Sequence, residues 1–167
     1  MEGVNTWWEG MLSERYWLGI AGSDDNGAVL AAPCGDSPDA TGREHRLIRC
    51  VKDGDVVFHY DKSQQAIVAW STSRGRARKR GFAWSEAAPV ANSGSRRHPA
   101  WSIGLQGSTL LADIVPLDQI ARIQWDLFPA LRAFEDMVGA PLYYPFAMGS
   151  PSGTRLLDGY VFKLPTL

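Results

Sequence analysis

The strongest constraint in the sequence is a hairpin. Asp55-Val56-Val57-Phe58-His59-Tyr60 and Ala66-Ile67-Val68-Ala69-Trp70-Ser71-Thr72 are two runs of β-branched and aromatic residues joined by the polar segment Asp61-Lys62-Ser63-Gln64-Gln65. The first run follows Lys52-Asp53-Gly54, a turn signal because Gly takes positive φ at no steric cost. Two such runs across a short polar turn pair as antiparallel strands. Whatever the rest of the chain does, it must cover this ribbon, since two strands alone are not stable in water.

The neighbouring segments supply the cover. Arg15-Tyr16-Trp17-Leu18-Gly19-Ile20 and Gly159-Tyr160-Val161-Phe162-Lys163-Leu164 read as strands, and Trp101-Ser102-Ile103-Gly104-Leu105 as another. Trp7-Trp8 and Met11-Leu12 share one face of a short helix expected over the first dozen residues. Residues 21–43, punctuated by Gly, Asp, Asn and Pro, read as a long acidic loop or weak helical turn carrying Asp24, Asp25, Asp36 and Asp39. Residues 117–138 read as helical, with Leu127, Leu131, Phe134 and Val138 at helical spacing, a break into two pieces at Pro129, and Gly139 as C-cap. Short strands mixed with separate helices define an α+β chain with a barrel-like sheet. At 167 residues, one domain is expected over 1–167: an N-terminal extension or helix at 1–14, then a barrel with helices at 15–165.

Several classes of function lack their residues. Cys34 and Cys50 are too few for a disulfide framework and are not a CxxC pair, and His45, His59 and His98 have no metal-ligand spacing. No metal and no cofactor are expected. The polar, acidic N-terminus is no secretory signal, and no apolar run approaches a membrane span, so a cytoplasmic chain is expected. Ser71, Ser73 and Ser102 lie in no GxSxG context, and Gly-Ser-Pro-Ser-Gly at 149–153 lacks the Lys-Ser/Thr ending of a phosphate loop and reads as a turn. No catalytic residue is assigned, and a binding module rather than an enzyme is expected.

Two features point to nucleic acid. The net charge is −1, yet residues 74–80 place five cations in seven positions, and Arg96-Arg97 follow. Such runs line phosphate backbones, or form a solvated loop. Tryptophan is abundant, seven in 167 residues, and indoles serve both as core and as stacking surfaces for bases.

The hairpin, from Val51-Lys52-Asp53-Gly54-Asp55-Val56-Val57-Phe58-His59-Tyr60 to Ala66-Ile67-Val68-Ala69-Trp70-Ser71, resembles the core of EVE domains, members of the PUA-like group with YTH and ASCH domains. Tyr16-Trp17-Leu18 is similar to the opening strand of that family. Pro99-Ala100-Trp101-Ser102-Ile103-Gly104-Leu105, Leu117 with the helix behind it, Pro141-Leu142-Tyr143-Tyr144-Pro145-Phe146 and Gly159-Tyr160-Val161-Phe162-Lys163-Leu164-Pro165 resemble EVE-like domains fused ahead of HNH nucleases in bacterial modification-dependent restriction systems. The resemblance spans most of residues 15–165. It departs at Ala69, where the family often has Gly, and in the length of the basic run.

The resemblance implies a PUA-like (EVE-type) mixed β-barrel with flanking helices. It implies a reader of a modified base, 5-methylcytosine or 5-hydroxymethylcytosine in double-stranded DNA, targeting a covalently linked HNH nuclease that this chain does not contain. Base flipping into an aromatic slot is the implied mode of reading. The expected pocket residues are Trp17, Tyr60, Trp70 and Trp84 as walls and His59, Asp61 and Ser71 for polar edges. Adjacent residues on a strand face opposite ways, so Trp70 with Ser71, or His59 with Tyr60, share a slot only through a bulge. Arg74, Arg76, Arg78, Lys79, Arg80, Arg96 and Arg97 are the expected phosphate contacts, on a loop, with the acidic segment 21–39 facing away. Trp101 and Trp125 are expected in the core, and Trp7 and Trp8 over the barrel end. Two alternatives stay open: an RNA reader, and a protein-interaction module using Trp7 and Trp8 as an exposed patch.

Overall fold

The computed structural model describes residues 4–21, 28–34, 44–82, 98–147 and 153–167. Six strands form one mixed sheet: β1 (Tyr16–Ala21), β2 (Val29–Pro33), β3 (Val56–Asp61), β4 (Ala66–Phe82), β5 (His98–Pro116) and β8 (Val161–Leu164), in the order β2-β5-β4-β3-β1-β8. Among the described strand pairs only β1 with β3 is parallel. A short ribbon pairs β6 (Phe146–Ala147) with β7 (Arg155–Leu156). One turn of helix, α1 (Glu44–Leu47), runs into a 3-10 turn at Ile48–Cys50, and the long helix α2 spans Leu117–Val138.

The sheet is strongly curled. Four strand spacings separate β2 from β1, about 19 Å in a flat sheet. Yet a Cβ placed on Gly19 of β1 would lie 2.6 Å from Leu30 Cδ1 of β2. The sheet therefore wraps until its far strand touches the middle of the near one, and Gly19 supplies the clearance. Among the described residues β2 and β8 do not pair with each other, so the barrel-like sheet expected from sequence is a half-barrel.

Alternation along the strands builds two cores. Register places Trp17, Val57 and Ser71 side by side on the concave face, where Trp17, Val57, Leu30 and Ile103 join the larger core. Leu18, Phe58 and Trp70 are the corresponding row on the convex face. There Leu18 and Phe162 are capped by Ile120 of α2 and Phe146.

The N-terminal segment closes the concave side, although not as a helix: residues 7–10 are turns. Trp7 and Trp8 are buried. Trp8 meets the Trp17 ring edge-on at 5.4 Å and Trp7 meets Phe134 at 5.1 Å. Such pairs add about 0.5–1.5 kcal/mol each beyond burial. This burial removes the exposed Trp7–Trp8 patch that a protein-interaction reading needs. A buried ion pair completes the closure. Lys163 Nζ donates to Glu14 Oε2 at 2.9 Å with the two side chains 0% and 2% exposed, and lies 5.1 Å from the Trp7 ring centroid.

The structure corrects four further expectations. Residues 21–43 contain strand β2, a short Ala-rich run held by pairing with β5. The basic run is strand rather than loop, since β4 continues to Phe82 in register with β5. Helix α2 passes through Pro129 unbroken. Pro129 has no N–H for the Trp125 carbonyl, and both residues lie on the exposed face, where the lost bond costs least because solvent is at hand. Trp125 is 79% exposed rather than core. Gly139 caps α2 with φ 65°, its N–H donating to Glu135 O at 3.0 Å. The acidic residues Asp24, Asp25, Asp36 and Asp39, and residues 149–152 of the expected turn, lie outside the described residues.

Candidate nucleic-acid interface

The basic run owes its geometry to one glycine. Past Ser73, pairing of β4 with β5 shifts register between Arg74 and Arg78. Gly75 sits in that bulge at φ 76°, with its N–H donated to Asp53 Oδ1 at 2.6 Å. The bulge turns Ala77 toward the concave core and leaves the arginines outside. Arg74 lies opposite Gly104, Arg78 opposite Ser102 and Arg80 opposite Ala100.

The result is a groove. Arg74, Arg76, Arg78 and Arg80 stand around a volume of about 300 Å³ lined also by Val29, Gly75, Ser102 and Gly104. Long guanidinium arms form its walls, and small side chains of β2 and β5 form its floor. None of the four arginines ion-pairs with a carboxylate among the described residues. Four cations in one groove, none of them ion-paired among the described residues, on a chain of net charge −1, concentrate positive potential there. This half of β4 also lies past the end of β3, and edge cations keep such a strand from pairing with other chains.

Sequence reasoning found the arginines and missed the floor. The signal was small residues at alternate positions of one strand, Ala100, Ser102 and Gly104. Lys79 lies opposite Trp101, between Arg78 and Arg80 on β4, and is exposed. Trp101 is half-buried against the core with the Arg49 guanidinium 4.7 Å from its ring centroid. Arg96, Arg97 and Trp84 lie outside the described residues.

The expected pocket residues among the described ones do not share one slot; they fall into four places. Trp17 is sealed in the core at 0% exposure, and its Nε1–H donates to Asp55 Oδ2 at 2.8 Å. His59 and Ser71 are buried on the same concave face and bond to each other, Nε2 to Oγ, at 2.7 Å. Burial holds the His59 pKa below its ordinary value. Tyr60 is buried in the other core, where its ring meets Phe146 edge-on at 6.0 Å. A register shift does fall between His59 and Tyr60, but it leaves them in different cores. Asp61 is spent on the hairpin turn. Its carboxylate accepts from Ser63 and Gln64, which holds its pKa at about 2. Trp70 lies half-buried on the convex face, the same side of β4 as Arg74. Ser71 faces the other way.

Metal chemistry finds no cluster. Among the described residues no three His, Cys, Asp or Glu side chains converge as ligands would. No described helix is long and apolar enough to cross a membrane.

Comparison with known proteins gives distant structural neighbours. The N-terminal domain of McrB from Staphylothermus marinus is similar at 16% identity and a TM-score of 0.42, over 67% of this chain and 84% of that one. A solution structure of a Rhodopseudomonas palustris protein is similar at 17% identity and a TM-score of 0.42, over 73% of this chain and 80% of that one. No protein-family model matches the sequence, and no curated protein does.

Proposed function

We propose that this chain is a non-catalytic nucleic-acid reader of the PUA-like, EVE type. Its ligand in this reading is DNA carrying a modified base, 5-methylcytosine or 5-hydroxymethylcytosine, and its role is to target a linked HNH nuclease. The observation that carries the reading is the arginine groove. Its four cations match phosphate in charge and in bidentate geometry, and its small floor lets a backbone approach the sheet.

Phosphate contacts give affinity without sequence information; the base must be read elsewhere. Of the expected pocket walls within the described residues, Trp70 is the one that keeps open surface on the groove side of the sheet. A base taken out of the duplex costs a few kcal/mol in lost stacking. Stacking on one aromatic returns about 1–3 kcal/mol, and the phosphate contacts offset the remainder.

The test is binding of the purified chain to matched oligonucleotides carrying cytosine, 5-methylcytosine, 5-hydroxymethylcytosine or N6-methyladenine at one site, at two salt concentrations. The reading predicts preference for one modified cytosine over a salt-dependent background. Equal binding to all four sinks modified-base reading and leaves a backbone binder. Stronger binding to an RNA of the same sequence reassigns the ligand.

A further inference from the structure

We infer that the convex face of the sheet is a track for single-stranded nucleic acid, with bases stacked on an aromatic shelf next to the arginine groove. The inference rests on the nucleic-acid reading above and specifies the form of its ligand.

The shelf consists of Tyr16, Phe58 and Trp70. Phe58 lies directly opposite Trp70 across the β3–β4 pair. The Tyr16 ring stacks beside Phe58, 6.4 Å between centroids and 24° between planes. Tyr16 is two residues from Leu18 on β1 and shares its face.

Cross-strand aromatic rows are common sheet cover, so the question is what covers them in turn. Along the same face, Leu18 and Phe162 are 0% and 3% exposed beneath Ile120 and Phe146. That layer stops before the shelf: Tyr16 is 39% exposed, and Phe58 and Trp70 are half-buried. At the rim of the covered face Tyr16 is open and Phe58 and Trp70 are partly so, Phe58 packing with one side against the covered cluster.

Continuity with the groove decides what lies on them. Trp70, Thr72 and Arg74 alternate on one face of β4. Val56 and Gln106 flank Thr72, and Thr109 lies opposite Trp70. No carboxylate lies in that register, and the Asp53 carboxylate at its Arg74 end accepts from the Gly75 N–H at 2.6 Å. From Trp70 to Arg74 is about 13 Å, and from Arg74 to Arg80, measured along the paired stretch of β5, about another 13 Å. A path of about 26 Å holds about seven nucleotides at the 3.4 Å spacing of a stacked strand, fewer when extended. Rings that lie against a sheet cannot reach bases inside a duplex. They can reach unpaired bases, and every base has a π-face to offer them.

The experiment is fluorescence anisotropy of the full chain with a labelled 12-nucleotide single strand and with the same strand in a duplex. Trp70→Leu, Tyr16→Ser and Arg78→Gln are the variants, with Trp70→Phe as the conservative control and thermal unfolding to establish that each folds. The expected result is tighter binding of the single strand. Trp70→Leu then weakens it about 5- to 150-fold, the weight of one stacked base, without changing the salt slope, and Trp70→Phe restores most of the loss. Arg78→Gln lowers the salt slope on both ligands. Equal binding of single strand and duplex, or a folded Trp70→Leu variant that binds the single strand like the parent, overturns the shelf. If Arg78→Gln still weakens binding in either case, the nucleic-acid reading survives that loss. If neither ligand binds, both fall.

Discussion

Replacing Lys163 by Met tests whether the N-terminal segment is locked to the sheet by charge. Lys163 Nζ donates to Glu14 Oε2 at 2.9 Å, to Tyr16 O at 3.3 Å and to Leu164 O at 2.6 Å. Methionine keeps the stem against Trp7 and Trp17 and removes all three bonds. Glu14 is left buried, with its other oxygen still accepting from Thr166 N at 2.9 Å. Breaking a buried pair from one side costs about 3–5 kcal/mol, because a charge stays behind without its partner. For a chain of this length that lowers Tm by about 6–20 °C. Adding Glu14→Gln removes the stranded charge and should recover much of the loss. Urea and thermal unfolding of the parent, Lys163→Met and the double variant measure this. A single variant within about 1 kcal/mol of the parent, or a double variant no better than the single, refutes the argument.

Two further outcomes are expected. Burial lowers the His59 pKa, so the unfolded chain binds the proton first as pH falls. Stability is then full above about pH 6.5 and declines below it, by at most about 1.4 kcal/mol per pH unit, until the folded pKa is reached. The difference in unfolding free energy between the parent and His59→Gln isolates this from His45 and His98; a difference that does not vary between pH 7.5 and 5.5 contradicts it. Trp7→Ala removes a buried ring and should cost about 3–5 kcal/mol, whereas Trp125→Ala, at a site 79% exposed, should stay within about 0.5 kcal/mol; denaturant midpoints of the two variants decide.

The elements legible in the sequence were those whose own residues pay for pairing. β1, β3 and the first half of β4 are runs of β-branched and aromatic residues, and Gly139 ends α2 by a local rule. β2 escaped because Val29-Leu30-Ala31-Ala32-Pro33 carries one β-branched residue and is held by its partner β5. Residues 74–80 read as loop because Arg, Lys and Gly are poor strand formers; pairing with β5 overrides that preference. The site divides along the same line. The arginine cluster is local and was visible. Its floor is legible only in part: Ser102 and Gly104 alternate along one strand, but their meeting with Val29 and the arginines depends on pairing between strands distant in sequence. Alternation correctly separates Trp70 from Ser71, but not which of them faces the core. That depends on the curl of the sheet and on Trp7 and Trp8 closing the concave side. Tyr16 and Phe58 enter only through register: they share the convex face with Trp70.

The most direct test of the central claim is the salt dependence of nucleic-acid binding by the parent and by the Arg74→Gln/Arg76→Gln/Arg78→Gln/Arg80→Gln variant. If the groove holds phosphates, log affinity should fall with log salt at a slope set by these four arginines plus any other phosphate contacts. The variant should lose about 3.6 units of that slope on duplex DNA, or about 2.8 on a single strand, along with most of its affinity at low salt. A folded variant that keeps the parent's affinity and slope would show that the groove is not the nucleic-acid interface.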